Sequence, residues 1–443
     1  MSEDPVFDSS PWSERVKFSD AGRGFAYVPN TAIVRDSADD GTLADVTGAG
    51  ETIGFTHDSP ATGFRQLQGT FDAMRVVAQL RAGGVDAQPD HVLFAHGMVC
   101  CCGPHPAAGF EPWLIANPLH ANPLHANPLH ANPLHANPLH ANPLHANSAD
   151  PNGPTTSSVR PADPPGWFAA IAAPGTSPPA SGTPGVVVLD TGLAAGQDRP
   201  AFLGLPTVTA APPNNVDVPD RDNDNWLDPA AGHGTFIAGI IERIAPGCAL
   251  EVVRVLRPEG DGKESDIVRA INDIAGRQNP PAFLNLSFGG YVWEDAPMLS
   301  AAVLRAQQRG IVVVASAGND GTCRPSYPAA IPGVVSAGAI GPDGPAWFSN
   351  YGDWVRSCAP GVDVVSSFFA LFDGKEVPTG GRDIDRFRSW ATWSGTSFAA
   401  PAVIGALVRE MRLSNCSPTQ AVARLIDAPG LGRIPGLGTV VNV

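Results

Sequence analysis

The sequence predicts an α/β protein: a doubly wound, mostly parallel sheet over residues 166–443, preceded by a small α+β unit over 21–98 and a repeat-rich linker over 99–165. Three observations carry this expectation. Apolar β-forming runs alternate with amphipathic helical stretches through the C-terminal region, the pattern of a parallel sheet covered on both faces. Six tandem copies of ANPLH at 116–145 separate that region from what precedes it. Before the repeats, a segment of roughly 75 residues has its own strand and helix periods, enough for a compact unit of marginal stability.

In chain order, residues 1–20 read as a tail with neither a basic start nor an apolar core. No secretory signal is expected there, no later run offers 18 uninterrupted apolar residues, and the cytoplasm is the expected compartment if Met1 is the true start. Within 21–98, GRGFAYVPNTAIVRD reads as one or two strands, FRQLQGTFDAMRVVAQLRAGG as a helix ending at Gly83-Gly84, and DHVLFAHG as a closing strand. The five-residue repeat fits neither a helix nor a strand. A proline in every copy removes a backbone donor and turns the preceding Asn towards extended geometry, so the array reads as a spacer reaching at most about 90 Å. Six of the eleven histidines lie in it, and a metal-binding ladder is the alternative reading.

Beyond the linker, strands are expected in GVVVLD, ALEVVRVL, AFLNLS, GIVVVASA and GVVSAGA. Helices are expected in HGTFIAGIIERIA, ESDIVRAINDIAGRQ and PMLSAAVLRAQQRG. In such sheets ligands bind beyond the carboxyl ends of the strands. Composition narrows the partners. The 443-residue chain is 43% hydrophobic and carries a formal net charge of −15, which disfavours nucleic acid and anionic membranes. Its seven cysteines, three of them adjacent at 100–102, form no disulfide framework, and the HGMVCCCGPH spacing fits no common zinc site.

The chemistry gathers at strand ends. GVVVLDTG (185–192) closes an apolar strand with Asp190. Asp-Thr-Gly also marks the paired-aspartate proteases, but those need an all-β chain with a second copy, or a small dimer, whereas this region reads as α/β and holds no second copy. The other use of a strand-end Asp is to orient a histidine. His233, in AGHGTFIAGII, has glycines on both sides and an apolar helical run behind it. Ser397, in WSGTSFAAPAVIGALVREMR, opens a helix after Gly395-Thr396, with Pro401 expected in the first turn. A serine there has its own N–H and the positive helix end beside the reacting carbon. Ser397 would attack a carbonyl carbon, His233 would take its proton, and Asp190 would hold the imidazole. Asn319, at the end of VVVASAGND, would donate to the oxyanion beside the Ser397 N–H.

VVVLDTG, GHGTFIAGII, SAGND and SGTSFAAP, in that order, resemble the four signature blocks of the subtilases, the subtilisin-like serine proteases. The resemblance covers about 185–430 and implies a serine endopeptidase that needs no cofactor for catalysis and acts on proteins or peptides. FLNLSFGG (283–290) resembles the family's substrate-binding edge strand, and the resemblance implies substrate contacts from Leu286, Ser287, Phe288 and Gly289 and from Ala317 and Gly318. FSNYG (348–352) resembles a later core segment of the family. The alternative is a catalytically idle member of the fold that grips peptides along the edge strand.

The resemblance also implies that 21–98 is a prodomain, an intramolecular inhibitor or folding aid whose last strand enters the cleft, with a targeting or recognition module as the alternative; about 65 residues intervene before the protease instead of a direct junction. Asp220, Asp222, Asp224 and Asp228 stand at positions one, three, five and nine of a calcium-loop pattern, with Ala231 where the bidentate Glu belongs. The loop is therefore either a calcium site or a solvated acidic segment, which, running directly into His233, would bias the cleft towards basic peptides. Cys323 and Cys358 are neighbours by the same resemblance, bridged in an oxidising compartment and free in a reducing one.

Overall fold

The computed structural model describes residues 16–19, 24–35, 38, 40–59, 63–95, 160–161, 185–205, 207–210, 215–221, 223, 225, 227–293, 296–374 and 386–443. The ANPLH array, the cysteines at 100–102, Asp222 and Asp224 lie outside the described residues.

In the N-terminal unit the strands are β1 (Ala26–Arg35), β2 (Thr52–Ser59), β3 (Phe64–Thr70) and β4 (Ala87–Ala95), with helix α1 (Ala73–Ala82) between the last two. Strand β1 pairs antiparallel with both β3 and β4, and β2 pairs with β3. One expectation is corrected here. The stretch from Phe64 onward is not one helix, because its first half is strand β3 and the helix begins only after Asp72, whose side chain caps Arg75 N. Helix α1 puts Val76, Val77 and Leu80 against Ala32, Val34 and Leu67 of the sheet. The tail is also not wholly separate, since Lys17–Phe18 pairs with β1. Within the span read as linker, Arg160–Pro161 pairs with Ala391–Thr392.

The C-terminal region is built on β5 (Gly185–Asp190), α2 (His233–Ile244), β6 (Ala249–Arg254), β7 (Asp261–Lys263), α3 (Glu264–Ala275), β8 (Phe283–Leu286), β9 (Phe288–Gly289), α4 (Pro297–Gln308), β10 (Val312–Ser316), β11 (Val335–Gly341), β12 (Ser357–Pro360), α5 (Thr396–Ser414) and β13 (Gly438–Val440). The central sheet runs β13-β12-β11-β10-β8-β5-β6, and each of these neighbouring pairs is parallel.

Strand β5 shows why its run is continuously apolar. Val186 and Val188 face a core with Phe236 and Ile240 of α2 and Val403 and Leu407 of α5. Val187 and Leu189 face the other core, with Ile267 and Ile271 of α3 and Leu299 and Val303 of α4. A strand buried on both faces has no solvent side on which to place polar residues, and each such side chain contributes about 1.5–3 kcal/mol by leaving water.

The two regions meet through β4. It pairs antiparallel with β1 on one edge and with β7 on the other, and its end pairs with β9, Phe94 opposite Gly289 and Ala95 opposite Phe288. Ile33, Phe64, Leu93 and Ala95 of the N-terminal sheet share a core with Ile267, Phe288 and Leu299.

Candidate active site

Asp190 ends β5 and is fully buried. Its Oδ1 accepts from Thr191 N at 2.8 Å and faces His233 Nδ1 at 2.7 Å. His233 begins α2 because Gly232 before it is left-handed, at φ 80°. Only glycine serves at this position, since a Cβ there would also overlap the Phe368 ring. Gly234 is equally required, because a Cβ would overlap the Gly192 carbonyl. The imidazole packs against Trp393 and Phe398, ring centroids 5.4 and 5.5 Å away.

Ser397 is the second residue of α5 and is fully buried. Its Oγ donates to the Ser287 carbonyl at 2.8 Å, while His233 Nε2 has no hydrogen-bond partner among the described residues. Pro401 lies in the second turn of α5, not the first as the sequence suggests. There its missing N–H would have bonded the Ser397 carbonyl four residues back. Ser287 Oγ donates to that carbonyl instead, at 2.8 Å, and is itself held by Asn285 Nδ2 at 2.9 Å.

Asn319 follows β10, with its Oδ1 accepting from Thr396 N at 2.9 Å and Thr396 Oγ1 at 2.8 Å. The roll of its amide is thereby fixed from the residue next to Ser397. Gly318 N donates to Thr396 Oγ1 at 3.0 Å, tying the same turn to the head of α5. Asn350, which sequence reasoning gives no role, braces this turn. Its Nδ2 donates to the Ala317 carbonyl, and its Oδ1 accepts from Asp320 N and Thr322 N. The only sequence signal for it is the FSNYG segment.

Among the expected substrate contacts, Phe288 and Gly289 form β9 and pair with β4. Leu286 does not reach the cleft. It is a core side chain between the sheet and α3 and α4. Ala317 is buried beside Val355, Cys358 and Leu437. Cys323 and Cys358 are both free thiols, the first exposed and the second buried, and burial pushes the Cys358 thiol up to about 11.

Asp220 and Asp228 serve their own loop, accepting from Asn225 N and Arg221 N, each at 2.9 Å. Among the described residues no cluster of three His, Cys, Asp or Glu converges for a metal.

The remaining polar group of the site is Asp217, at the end of the short pairing of Val216–Asp217 with Leu193–Ala194. Its Oδ2 accepts from Thr191 Oγ1 at 2.7 Å and Gly232 N at 2.9 Å. It stands just before the acidic loop, and its sequence signal is weaker than that of Asp190: a single valine precedes it, with no apolar run.

A carboxylate on an imidazole, a serine at a helix start and an amide held beside it form the parts of a nucleophilic hydrolase. Comparison with known proteins agrees. The family model described as the subtilase family matches residues 182–429, more than half of the chain. A thermophilic serine proteinase of Bacillus sp. (strain AK1) is 36% identical over 231 residues, 49% of this chain and 51% of that protein. An intracellular serine protease of Paenibacillus polymyxa is 34% identical over 247 residues, 52% of this chain and 68% of its own length. The match thus spans about half the length of the first relative. The crystal structure of a cold-adapted subtilisin-like serine proteinase aligns with a TM-score of 0.44 at 26% identity, covering 58% of this chain and 86% of that one.

Proposed function

The chain belongs to the subtilase family, and from that premise we propose that it is a serine endopeptidase in which Asp190, His233 and Ser397 form the triad and Asn319 with the Ser397 N–H forms the oxyanion hole. The observation that carries this reading is the buried Asp190–His233 contact of 2.7 Å, with Phe398, the neighbour of Ser397, packed against the imidazole. In the reaction, Ser397 Oγ leaves the Ser287 carbonyl, gives its proton to His233 Nε2 and attacks the peptide carbonyl. Asp190 keeps Nδ1 protonated and stabilises the imidazolium. The oxyanion is met by donors already in place. His233 then protonates the leaving amine, and water repeats the sequence to release the acyl group. Triad chemistry of this kind draws on no cofactor.

The N-terminal unit is, in this reading, an intramolecular inhibitor and the enzyme a zymogen. Support comes from β4, which is hydrogen-bonded between β7 and β9 and so occupies both edges on which an extended peptide substrate would lie. The substrates are accordingly proteins or peptides bound in extended form. Among the described residues no helix is long and apolar enough to cross a membrane. Calcium, if the loop from Asp220 to Asp228 binds it, is structural and takes no part in these steps.

Labelling with a fluorophosphonate probe tests the mechanism. Ser397 should be modified covalently, and the Ser397→Ala variant should neither label nor turn over peptide. A wild-type protein that binds peptides yet never labels would instead be an idle member of the fold.

A further inference from the structure

A second buried carboxyl group, that of Asp217, stands beside the Asp190–His233 pair without a hydrogen bond to either. Thr191 links the two acids. Its N–H donates to Asp190 Oδ1 at 2.8 Å and its hydroxyl to Asp217 Oδ2 at 2.7 Å. With the hydroxyl proton given to Asp217, the oxygen accepts from Gly234 N at 3.0 Å. Asp217 Oδ2 also accepts from Gly232 N at 2.9 Å. Gly232 and Gly234 flank His233, so one carboxyl group fixes the backbone on both sides of the imidazole and the residue that follows Asp190.

The charge state of Asp217 follows from its surroundings. The group is 1% exposed, and its Oδ1 has no hydrogen-bond partner among the described residues. The charged groups that act on it are Asp190 from the end of β5 and Arg254 from the end of β6. The Arg254 guanidinium donates to the neighbouring Val216 carbonyl at 3.1 Å. Two dry carboxyl groups joined through one threonine are an arrangement in which one of them keeps its proton. Loss of solvent pushes the Asp217 carboxyl up to about 8. The negative charge of Asp190 adds to this, while the bonds from Thr191 and Gly232 and the charge of Arg254 oppose it.

We propose that Asp217 is a positioning residue that acts as a neutral acid, clamping Thr191 and Gly232 so that Asp190 and His233 stay in register, and that its ionisation disturbs this register by setting a second negative charge beside Asp190. This rests on the reading of Asp190, His233 and Ser397 as the triad.

The test compares Asp217→Ala and Asp217→Asn in the full chain, with active sites counted by fluorophosphonate labelling. Asp217→Ala should lower kcat by about 10- to 100-fold with KM little changed, as expected when a catalytic pair is slightly misplaced. Asn offers an acceptor oxygen without a charge, so at pH 7 it should recover about tenfold or more of that loss. Above a pH of about 8, where Asp217 ionises, wild-type kcat should fall away from that of the Asn variant. An Asn variant as impaired as the Ala variant at pH 7 would show that Asp217 works as an anion, and a wild-type kcat in the Ala variant would show that it positions nothing. Failure of the triad reading is seen separately, as absent labelling of the wild type. In that event the low-field proton NMR resonance of His233 Nδ1–H, followed against pH in Ser397→Ala, still reports on the clamp. The resonance should show a step at about pH 8 in that protein, and that step should be missing when Asp217→Asn is added. An identical titration in both would overturn the proposal.

Discussion

Ser287 and Ser397 hold each other reciprocally: Ser397 Oγ donates to the Ser287 carbonyl, and Ser287 Oγ donates to the Ser397 carbonyl, both at 2.8 Å. The second bond replaces the helical one that Pro401 cannot make. Removing it by Ser287→Ala leaves the Ser397 carbonyl and Asn285 Nδ2 without that buried partner, and should cost about 1–3 kcal/mol of unfolding free energy. Ser397 Oγ, bonded to a backbone carbonyl, keeps its partner, so fluorophosphonate labelling should persist. Denaturant unfolding checks the first point. An unchanged midpoint would mean that α5 does not depend on this bond.

Asn319 and Ser397 should separate in their effects. Ser397→Ala should abolish turnover, whereas Asn319→Ala should lower kcat by roughly 10²–10³, the cost of one oxyanion donor. Asn319 also holds Thr396 N, so the variant's fold should be checked by its near-UV dichroism. Wild-type kcat in a folded Asn319→Ala protein would remove Asn319 from the mechanism.

The contact between the N-terminal unit and the catalytic region has a polar centre that should set its strength. Glu264 Oε2 lies 2.5 Å from His91 Nδ1 and 2.9 Å from Gln88 Nε2, with all three groups buried. His91 Nε2 accepts from Trp293 N at 3.0 Å. Glu264→Ala should weaken this contact by about 1.5–3 kcal/mol, and the basal peptide hydrolysis of uncut protein should rise roughly 10- to 100-fold. Equal basal rates would show that this cluster does not hold the inhibitor.

The same contact should depend on pH through Asp90, which accepts from Ser265 N at 3.0 Å and Ser265 Oγ at 2.7 Å. Burial pushes its carboxyl up to about 6. A raised value in the docked state means that its contribution is complete below the ordinary carboxylate range and is lost as pH rises through about 6. In the Ser397→Ala protein, the difference in melting temperature between Asp90→Asn and Asp90 should therefore widen over that window in favour of Asn. No change with pH would place the titration elsewhere.

Tether length should govern inhibition without touching chemistry. If the N-terminal unit inhibits as proposed, deleting three of the six ANPLH copies at 116–145 should alter basal activity of the uncut protein, because tether length sets the unit's effective concentration. The activity of protein freed of residues 1–98 should not change. Identical rates for full-length, shortened and freed proteins, compared at equal active-site titre, would leave the N-terminal unit without an inhibitory role.

The sequence by itself determined the layered architecture and pointed to the candidate reacting groups. Strands such as GVVVLD are apolar at every position because both faces are buried, and that pattern survives without coordinates. Asp190, His233, Asn319 and Ser397 stood out as candidates because each sits where a strand ends or a helix starts, beside glycine or small residues that allow close approach. The β3 strand was not legible as such, since Phe64–Thr70 runs straight into a genuine helix and only the Asp72 cap marks the boundary. Only the tertiary structure decided that Leu286 is core, that Ser287 replaces the bond missing at Pro401, and that Asp217 braces both sides of His233. These are contacts between residues far apart in the chain, set by sheet register and helix placement, and no local pattern encodes a partner that distant.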